Sequence, residues 1–146
     1  MVWRRLRRCE FAQRGGRRVI RAGAPEGRLA DYFLNPRNVG ELAGDDVVRA
    51  SAGRREIGTK IDFFLKIQEN MIASARFRAY GCPVAIASAS RICEWLEGRC
   101  VSEAELFDPH ALATELGVPV EKLGVILVAE DALRRALDQR LGDADL

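Results

Sequence analysis

The period of the hydrophobic pattern changes once along the chain, near residue 82. Before that point apolar and polar residues alternate, which is typical of β-strands with one buried face. In residues 60–67 the apolar set is Ile61, Phe63, Leu65 and Ile67, and the opposite set is Lys60, Asp62, Phe64 and Lys66. In residues 73–79 the predicted core-facing set is Ala73, Ala75, Phe77 and Ala79. With a shorter apolar run at residues 47–50, these segments predict an antiparallel meander of three strands.

After residue 82 the apolar residues recur at helical spacing. One stripe comprises Ala85, Ala89, Ile92 and Leu96, and a second runs from Ile126 to Leu141. Such stripes are typical of amphipathic helices that cover a core. Residues 29–34 predict a further helix before the strands, which should end at Asn35 because the next residue is Pro36.

Two shorter helices are predicted between the two striped segments. Ser102-Glu103-Ala104-Glu105 has the pattern of a capping box, and Asp108-Pro109 should begin a helix that ends at Gly117. Strands followed by helices predict an α+β fold: an antiparallel three-stranded sheet, with the later helices packed on one face.

Charge is distributed unevenly along the 146 residues. Residues 1–28 hold nine Arg and two Glu, a net charge of +7, so the rest carries −5 of the total of +2. We therefore predict a basic, flexible extension at residues 1–28 and a folded domain at residues 29–141. Nucleic-acid, anionic-surface and transit roles stay open for the extension, but the whole chain is not predicted to bind nucleic acid. No apolar run reaches the 18 residues of a membrane span.

The four cysteines, at positions 9, 82, 93 and 100, form no CxxC pair and follow no secretory signal. This favours reduced thiols in a cytoplasmic protein. Cys93 is predicted to lie in the core, and Cys9 and Cys100 in solvent or loops. His110, the only histidine, is interpreted as a surface residue.

Cys82 is the main candidate for chemistry, because it lies between a strand and a helix. The N–H groups at a helix N-terminus favour a thiolate, which can accept sulfur or bind a soft metal. A small buried cysteine is an equally open interpretation. Pro83 suits the first turn of the helix that follows.

Four separated stretches together resemble the IscU/NifU N-terminal family of iron–sulfur cluster assembly scaffolds, over residues 29 to about 141. They are Asp31-Tyr32-Phe33-Leu34-Asn35-Pro36-Arg37-Asn38-Val39-Gly40, Ala75-Arg76-Phe77-Arg78-Ala79-Tyr80-Gly81-Cys82, Ala85-Ile86-Ala87-Ser88-Ala89-Ser90 and Ala129-Glu130-Asp131-Ala132. The fold that this resemblance implies agrees with the predicted strands and helices.

The resemblance implies a [2Fe-2S] cluster or zinc, held by three cysteines and a nearby aspartate or histidine. In this chain Ile57 and Thr59 stand at the positions of the first cysteine and the aspartate, and Gly124 and Val125 at those of the histidine and a further cysteine. Cys82 is the sole ligand that the resemblance retains. The other four positions carry no thiolate, imidazole or carboxylate, so the expected cluster or zinc site is degenerate.

The resemblance also implies partners. It implies sulfur delivery by a cysteine desulfurase and apo iron–sulfur proteins as clients. The stretch that corresponds to the family's chaperone-recognition segment, residues 118–122, keeps only Pro119 and Lys122, which argues against chaperone binding.

Two functional hypotheses follow, and neither is a stand-alone enzyme. The first is a divergent cluster assembly scaffold in which Cys82 accepts sulfur and a partner or second subunit supplies further ligands. The second is a docking or regulatory module that binds a desulfurase or a client without handling cluster.

Overall fold

The computed structural model describes the chain from residue 27 to residue 144, with side chains described for residues 28–139. The helices are α1 (Gly27–Leu34), α2 (Pro83–Leu96), α3 (Val101–Ala104), α4 (Pro109–Leu116) and α5 (Leu123–Ala144). The strands are β1 (Val47–Arg54), β2 (Thr59–Gln68) and β3 (Met71–Tyr80). Short 3-10 helices follow β1 (Arg55–Ile57) and precede α5 (Val120–Lys122). Cys9 and most of the predicted extension lie outside the described residues; Gly27 and Arg28 begin α1.

The three strands form one antiparallel sheet in the order β1-β2-β3. Ala50 pairs with Phe63, and Phe63 pairs with Phe77, so these residues lie side by side across one face. All three are almost fully buried, as are Ile61 and Leu65. The predicted meander and its core face are therefore confirmed.

The predicted orientation of Ala73 is wrong. Ala73 is exposed and Ile72 is fully buried. The register explains this, because Lys66 pairs with Ser74 and Ile67 pairs with Ile72, which leaves Ala73 as an extra residue in a β-bulge. A bulge moves the residues beyond it to the other face of the sheet.

Two long helices cover the inner face of the sheet. Helix α2 packs against β3, and α5 packs against β1 and β2. The predicted stripe residues of α2 are buried, and so are those of α5 from Ile126 to Leu137. Helices on one face of an antiparallel sheet make this an α+β fold. In the described part of the chain, no helix is long and apolar enough to cross a membrane.

The short helices differ in how well the sequence predicted them. Helix α4 begins and ends as predicted: Asp108 accepts a hydrogen bond from the His110 backbone N–H at 2.9 Å, and Gly117 ends the helix in the left-handed region. The capping box at Ser102 is wrong, because Cys100 is the N-cap residue of α3 and Ser102 lies inside the helix. The Val101 N–H donates to the Asn70 carbonyl at 2.9 Å, so the β2–β3 hairpin determines where α3 begins.

The asparagine-proline-arginine-asparagine turn joins α1 to the sheet and to α2. The Phe77 N–H donates to the Asn38 carbonyl at 3.0 Å, and the Gly40 N–H donates to the Phe77 carbonyl at 2.9 Å. On the other side, the Arg37 N–H donates to Ser90 Oγ at 2.8 Å. The turn therefore places this segment beside β3 as a short parallel bridge.

A buried ion pair joins α2 to α4. Arg91 and Glu115 are each 1% exposed, and Arg91 Nε donates to Glu115 Oε1 at 2.8 Å. The partly exposed Arg28 of α1 donates to the same oxygen. The three helices that surround this carboxylate are thus linked by charge as well as by apolar packing.

Candidate functional site

Cys82 lies at the corner where β3 ends and α2 begins. Gly81 forms the corner with a φ of +155°, and Cys82 is the N-cap residue, followed by Pro83 in the first turn. The Cys82 carbonyl accepts from the Ala85 N–H at 3.0 Å, whereas its side chain makes no capping hydrogen bond. The thiol is free and half-buried, with one side packed against the core. Backbone atoms thus hold the corner, and the sulfur is left available for chemistry.

The loop between β1 and β2 lies directly beside this corner. A β-carbon built at Gly81 would lie 3.2 Å from the Gly58 carbonyl oxygen and 3.6 Å from Thr59 Cα. A β-carbon at this position would be in tight contact with the loop, which would have to shift by a few tenths of an ångström, so a glycine fits the corner best. The approach brings Ile57 and Thr59 to the same end of the sheet as Cys82. Ile57 is 69% exposed, so a hydrocarbon side chain faces solvent at this point.

The first turns of α5 lie near the same end of the sheet. A β-carbon built at Gly53 would lie 2.2 Å from the Thr59 carbonyl oxygen and 3.1 Å from Val128 Cγ1. Val128 is one helical turn beyond Gly124 and Val125, which therefore also belong to this end. Gly124 is exposed, and a β-carbon there would meet no atom within 4 Å.

The comparisons with known proteins identify the family. The family model for the NifU-like N-terminal domain matches residues 25–142. The chain belongs to the NifU-like N-terminal domain family. The predicted resemblance is thereby confirmed.

Two relatives carry the same description, iron–sulfur cluster assembly scaffold protein IscU. The protein of Azotobacter vinelandii is 37% identical over 113 residues, and that of Escherichia coli K12 is 35% identical over 113 residues. In both cases the match covers 75% of this chain and 88% of the relative. A solved structure, the N-terminal part of a nitrogen-fixing NifU-like protein from Brucella abortus, matches with a TM-score of 0.64 at 17% identity. It covers 77% of this chain and 90% of its own, and it shows that the two share a fold.

The residues at this end of the NifU-like domain do not suit a metal site. Ile57 and Val125 carry hydrocarbon side chains, Gly124 has none, and Thr59 offers only a hydroxyl. Among the described side chains, no group of three or more His, Cys, Asp and Glu residues could hold a metal ion. Iron–sulfur clusters and structural zinc are bound by several thiolates or imidazoles. With Cys82 as its one soft ligand, the site does not fit a [2Fe-2S] cluster or zinc.

The remaining described cysteines are buried, and the histidine lies on the surface of α4. Cys93 is fully buried in the core, as predicted, and burial raises the pKa of its thiol well above the ordinary value. Cys100, predicted to lie in solvent or in a loop, is in the connection between α2 and α3 but does not face solvent, since it is 1% exposed where the chain folds back against the start of β3. His110 is exposed in the first turn of α4, in agreement with its interpretation as a surface residue.

The segment that leads into α5 is open to partners. Pro119 and Lys122 are exposed, and Val120 between them is 85% exposed. The Lys122 N–H donates to the Pro119 carbonyl at 2.9 Å, which closes a short 3-10 turn. The two predicted partner-binding residues therefore lie on one exposed turn.

Sequence reasoning missed a cluster of charged residues on the sheet face opposite α2 and α5. The strand register places Arg49, Lys60, Asp62 and Arg78 on that face, and Arg55 follows β1. One signal was present in the sequence: the alternation in β2 put Lys60 and Asp62 on the side away from the core. Only the register shows that these residues line one cleft.

Proposed function

We propose that this chain acts in iron–sulfur cluster assembly as a divergent scaffold-like protein whose Cys82 accepts sulfur from a cysteine desulfurase. One structural observation carries the proposal: Cys82 is a free, half-buried thiol at the N-terminus of α2, beside the β1–β2 loop. The two relatives named as iron–sulfur cluster assembly scaffold proteins support a role in cluster assembly. The thiolate is the form of cysteine that attacks a sulfur–sulfur bond.

The proposed step is a transfer between two cysteines with no net oxidation. The Cys82 thiolate attacks the terminal sulfur of a persulfide on the desulfurase. A new S–S bond forms at Cys82, and the S–S bond on the desulfurase breaks to leave a cysteine thiolate there. The desulfurase supplies the sulfur already at the required oxidation level, so no further oxidant or reductant enters.

The surface around Cys82 favours a protein partner. Ile57 and Tyr80, which lie at this end of the sheet, are apolar or aromatic and are 69% and 50% exposed. Exposed apolar groups near a functional residue are typical of interaction sites. We therefore propose that the domain, residues 29–141, presents this end to the desulfurase and then to an apo iron–sulfur protein. No catalytic role is proposed.

Cluster assembly on the isolated chain is not part of this proposal, because the ligand set does not fit a cluster. Any cluster chemistry would need ligands from a partner or from a second copy of the chain. The exposed Ile57 also supports a second candidate function. An isoleucine in place of a ligand turns that position into an apolar contact, which suits a docking or regulatory module that binds a desulfurase or client.

Persulfide transfer distinguishes the two functions. The purified chain would be incubated with L-cysteine and the cysteine desulfurase of its source organism, and persulfides would be detected by mass spectrometry after alkylation. Sulfur should appear on Cys82 and be lost in Cys82→Ser, whereas Cys93→Ala, which removes a buried thiol, should retain it. An unchanged rate in Cys82→Ser would refute sulfur acceptance, and desulfurase binding without persulfide would support the docking module.

Restoring the ligands tests the interpretation of the metal site. The wild-type chain should hold neither stoichiometric zinc nor iron and sulfide after anaerobic reconstitution. Ile57→Cys/Val125→Cys supplies two thiols in addition to Cys82, and Gly124→His adds an imidazole at a position with free space. The triple variant should bind one zinc ion, measured by metal analysis and by proton release on binding. Stoichiometric metal or cluster in the wild-type monomer would contradict the degenerate site.

A further inference from the structure

A polar cleft lies on the outer face of the sheet, away from α2 and α5. It has a volume of about 270 Å³. Four cationic side chains line it, together with one carboxylate and a tyrosine: Arg49, Arg55, Lys60, Arg78, Asp62 and Tyr80. The four cations come from all three strands and the loop after β1, so the cleft depends on the fold and not on one segment.

The strand register centres the cleft on Asp62. Asp62 pairs with Arg78 of β3, and Lys60, two residues earlier on the same face, pairs with Tyr80. Side chains directly opposite each other in antiparallel strands have β-carbons about 4.5–5.5 Å apart. The side chains of Lys60 and Arg78 are therefore placed on the same face of the sheet as the Asp62 carboxylate.

Asp62 lacks the partner that its burial requires. It is 9% exposed, and its Oδ1 is buried with no hydrogen-bond donor. Arg78 pairs instead with Glu41, and the guanidinium carbon of Arg55 lies 5.3 Å from the Tyr80 ring centroid. A buried carboxylate oxygen without a donor is unfavourable. The cleft therefore holds a carboxylate that lacks a donor, and three of its cations, Arg49, Arg55 and Lys60, have no acidic partner among the described residues.

The charge of the cleft contrasts with the charge of the rest of the domain. Residues 29–146 carry a net charge of −5, yet the lining of this cleft has four cations against one carboxylate. Glu41 compensates Arg78, but Arg49, Arg55 and Lys60 have no ion-pair partner among the described residues, and like charges held close together repel each other. Arg49 is also kept at the cleft by contact with the Phe64 ring, 5.3 Å from its guanidinium carbon.

We propose that this cleft binds a small phosphorylated molecule that carries hydroxyl groups, the class of sugar phosphates and mononucleotides. Its phosphate accepts hydrogen bonds from the Arg and Lys side chains, for which Arg is suited by its planar set of donors. A hydroxyl group of the ligand donates to the Asp62 carboxylate, which lines the cleft. The volume suits a ligand smaller than a typical drug molecule. The cleft reaches Tyr80, two residues before Cys82, and so borders the surface proposed for the desulfurase, but ligand binding here does not depend on sulfur acceptance at Cys82.

Titration calorimetry on the full chain at low salt tests the site, with ribose 5-phosphate, inorganic phosphate and ribose as probes. Ribose 5-phosphate should bind more tightly than phosphate, and ribose should not bind. Lys60→Gln should weaken ribose 5-phosphate binding about tenfold, which is typical for loss of a hydrogen bond between charged groups. Asp62→Asn should weaken ribose 5-phosphate binding but leave phosphate binding equal or tighter. Arg134→Gln, on the exposed surface of α5, is the matched control and should change nothing.

A second measurement does not depend on the variants. In NMR titration of the wild-type chain, saturable shifts should be confined to the amides of the three strands and of the segment after β1 that line the cleft, around Arg49, Arg55, Asp62 and Tyr80. The proposal is overturned if no probe binds at millimolar concentration, or if Arg134→Gln weakens binding as much as Lys60→Gln. It is also overturned if a polyglutamate peptide displaces the sugar phosphate while Asp62→Asn has no effect, because the face would then be a docking surface for acidic proteins.

Discussion

Replacing Glu115 by Gln should cause one of the largest losses of stability that a single side chain can produce in this domain. The substitution keeps the shape of the side chain but removes the charge that faces Arg91, and both residues are 1% exposed. The remaining acid near Arg91 is Glu94, at 3.7 Å and partly in solvent. Loss of one partner from a buried ion pair costs about 3–5 kcal/mol, because the other charge stays buried without compensation. For a domain of this size, that corresponds to a fall in Tm of about 10–20 °C.

The same pair predicts a different result when both partners are replaced. Arg91 Nη1 and Nη2 and Glu115 Oε2 are buried without hydrogen-bond partners, so the pair does not recover its full desolvation cost. The apolar variant Arg91→Met/Glu115→Leu should therefore be more stable than either single variant. Urea unfolding followed by circular dichroism would give the free energies, after a check for two-state behaviour.

A surface pair provides the control. Arg134 and Glu130 lie 3.4 Å apart on α5, with exposed side-chain fractions of 52% and 20%. Glu130→Gln should cost less than about 1 kcal/mol. The reasoning is refuted if Glu115→Gln costs no more than this control, or if the losses of the two single variants simply add in the double variant.

Three further predictions concern thiols and glycines. Iodoacetamide near neutral pH should label Cys82 much faster than Cys93 in the native chain, as measured by mass spectrometry, and equal rates would show that the Cys82 thiol is not accessible. Burial raises the pKa of the Cys93 thiol in the folded state. The buried thiol therefore contributes its full stability at a pH below the pKa of Cys93 in the unfolded chain, and this contribution is lost as the pH rises above that value. Urea unfolding would measure the free energy of unfolding of the wild-type chain and of Cys93→Ala at pH 9 and at pH 10. Over this interval the value for the wild-type chain should fall by up to about 1.4 kcal/mol more than the value for Cys93→Ala. An equal fall in both proteins would exclude this effect of Cys93 ionisation. Gly53→Ala should lower the free energy of unfolding by about 2–5 kcal/mol, because φ at this position is +82° and the new β-carbon would overlap the Thr59 carbonyl. Gly58→Ala is the control: φ is +88° but the space is open, so the loss should be only about 1–2 kcal/mol. Equal losses of the two variants in thermal unfolding would contradict the overlap.

The elements that the sequence predicted well are those whose burial follows a local period. Buried residues recur every second residue in β2 and every three to four residues in α2. A short stretch of sequence is therefore enough to recognise each element. The bulge at Ala73 breaks the alternation without a glycine or proline to mark it, and only the pairing with β2 reveals it. The start of α3 is likewise determined by a hydrogen bond to the carbonyl of Asn70, 31 residues earlier.

The charged features were harder to predict for the same reason. Arg91 and Glu115 are 24 residues apart, on two helices whose relative position depends on tertiary packing. Arg49 and Arg78 meet Asp62 only through the register of two strand pairs. Charge counts along the sequence show an acidic domain and cannot show a basic cleft on one of its faces.

The residues that form the core of this domain are different from those at the positions where the resemblance implies metal ligands. Ile57 and Gly124 are exposed at one end of the sheet and contribute little to the core, so their replacement leaves the packing of β2, α2 and α5 intact. Cys82 differs from them because it packs against the core and its carbonyl begins the hydrogen bonding of α2. The carbonyl belongs to the backbone and would be present with any residue at position 82, and a serine would fill nearly the same space. Packing alone therefore does not require sulfur at this corner, and the presence of a thiol there favours a chemical role for Cys82.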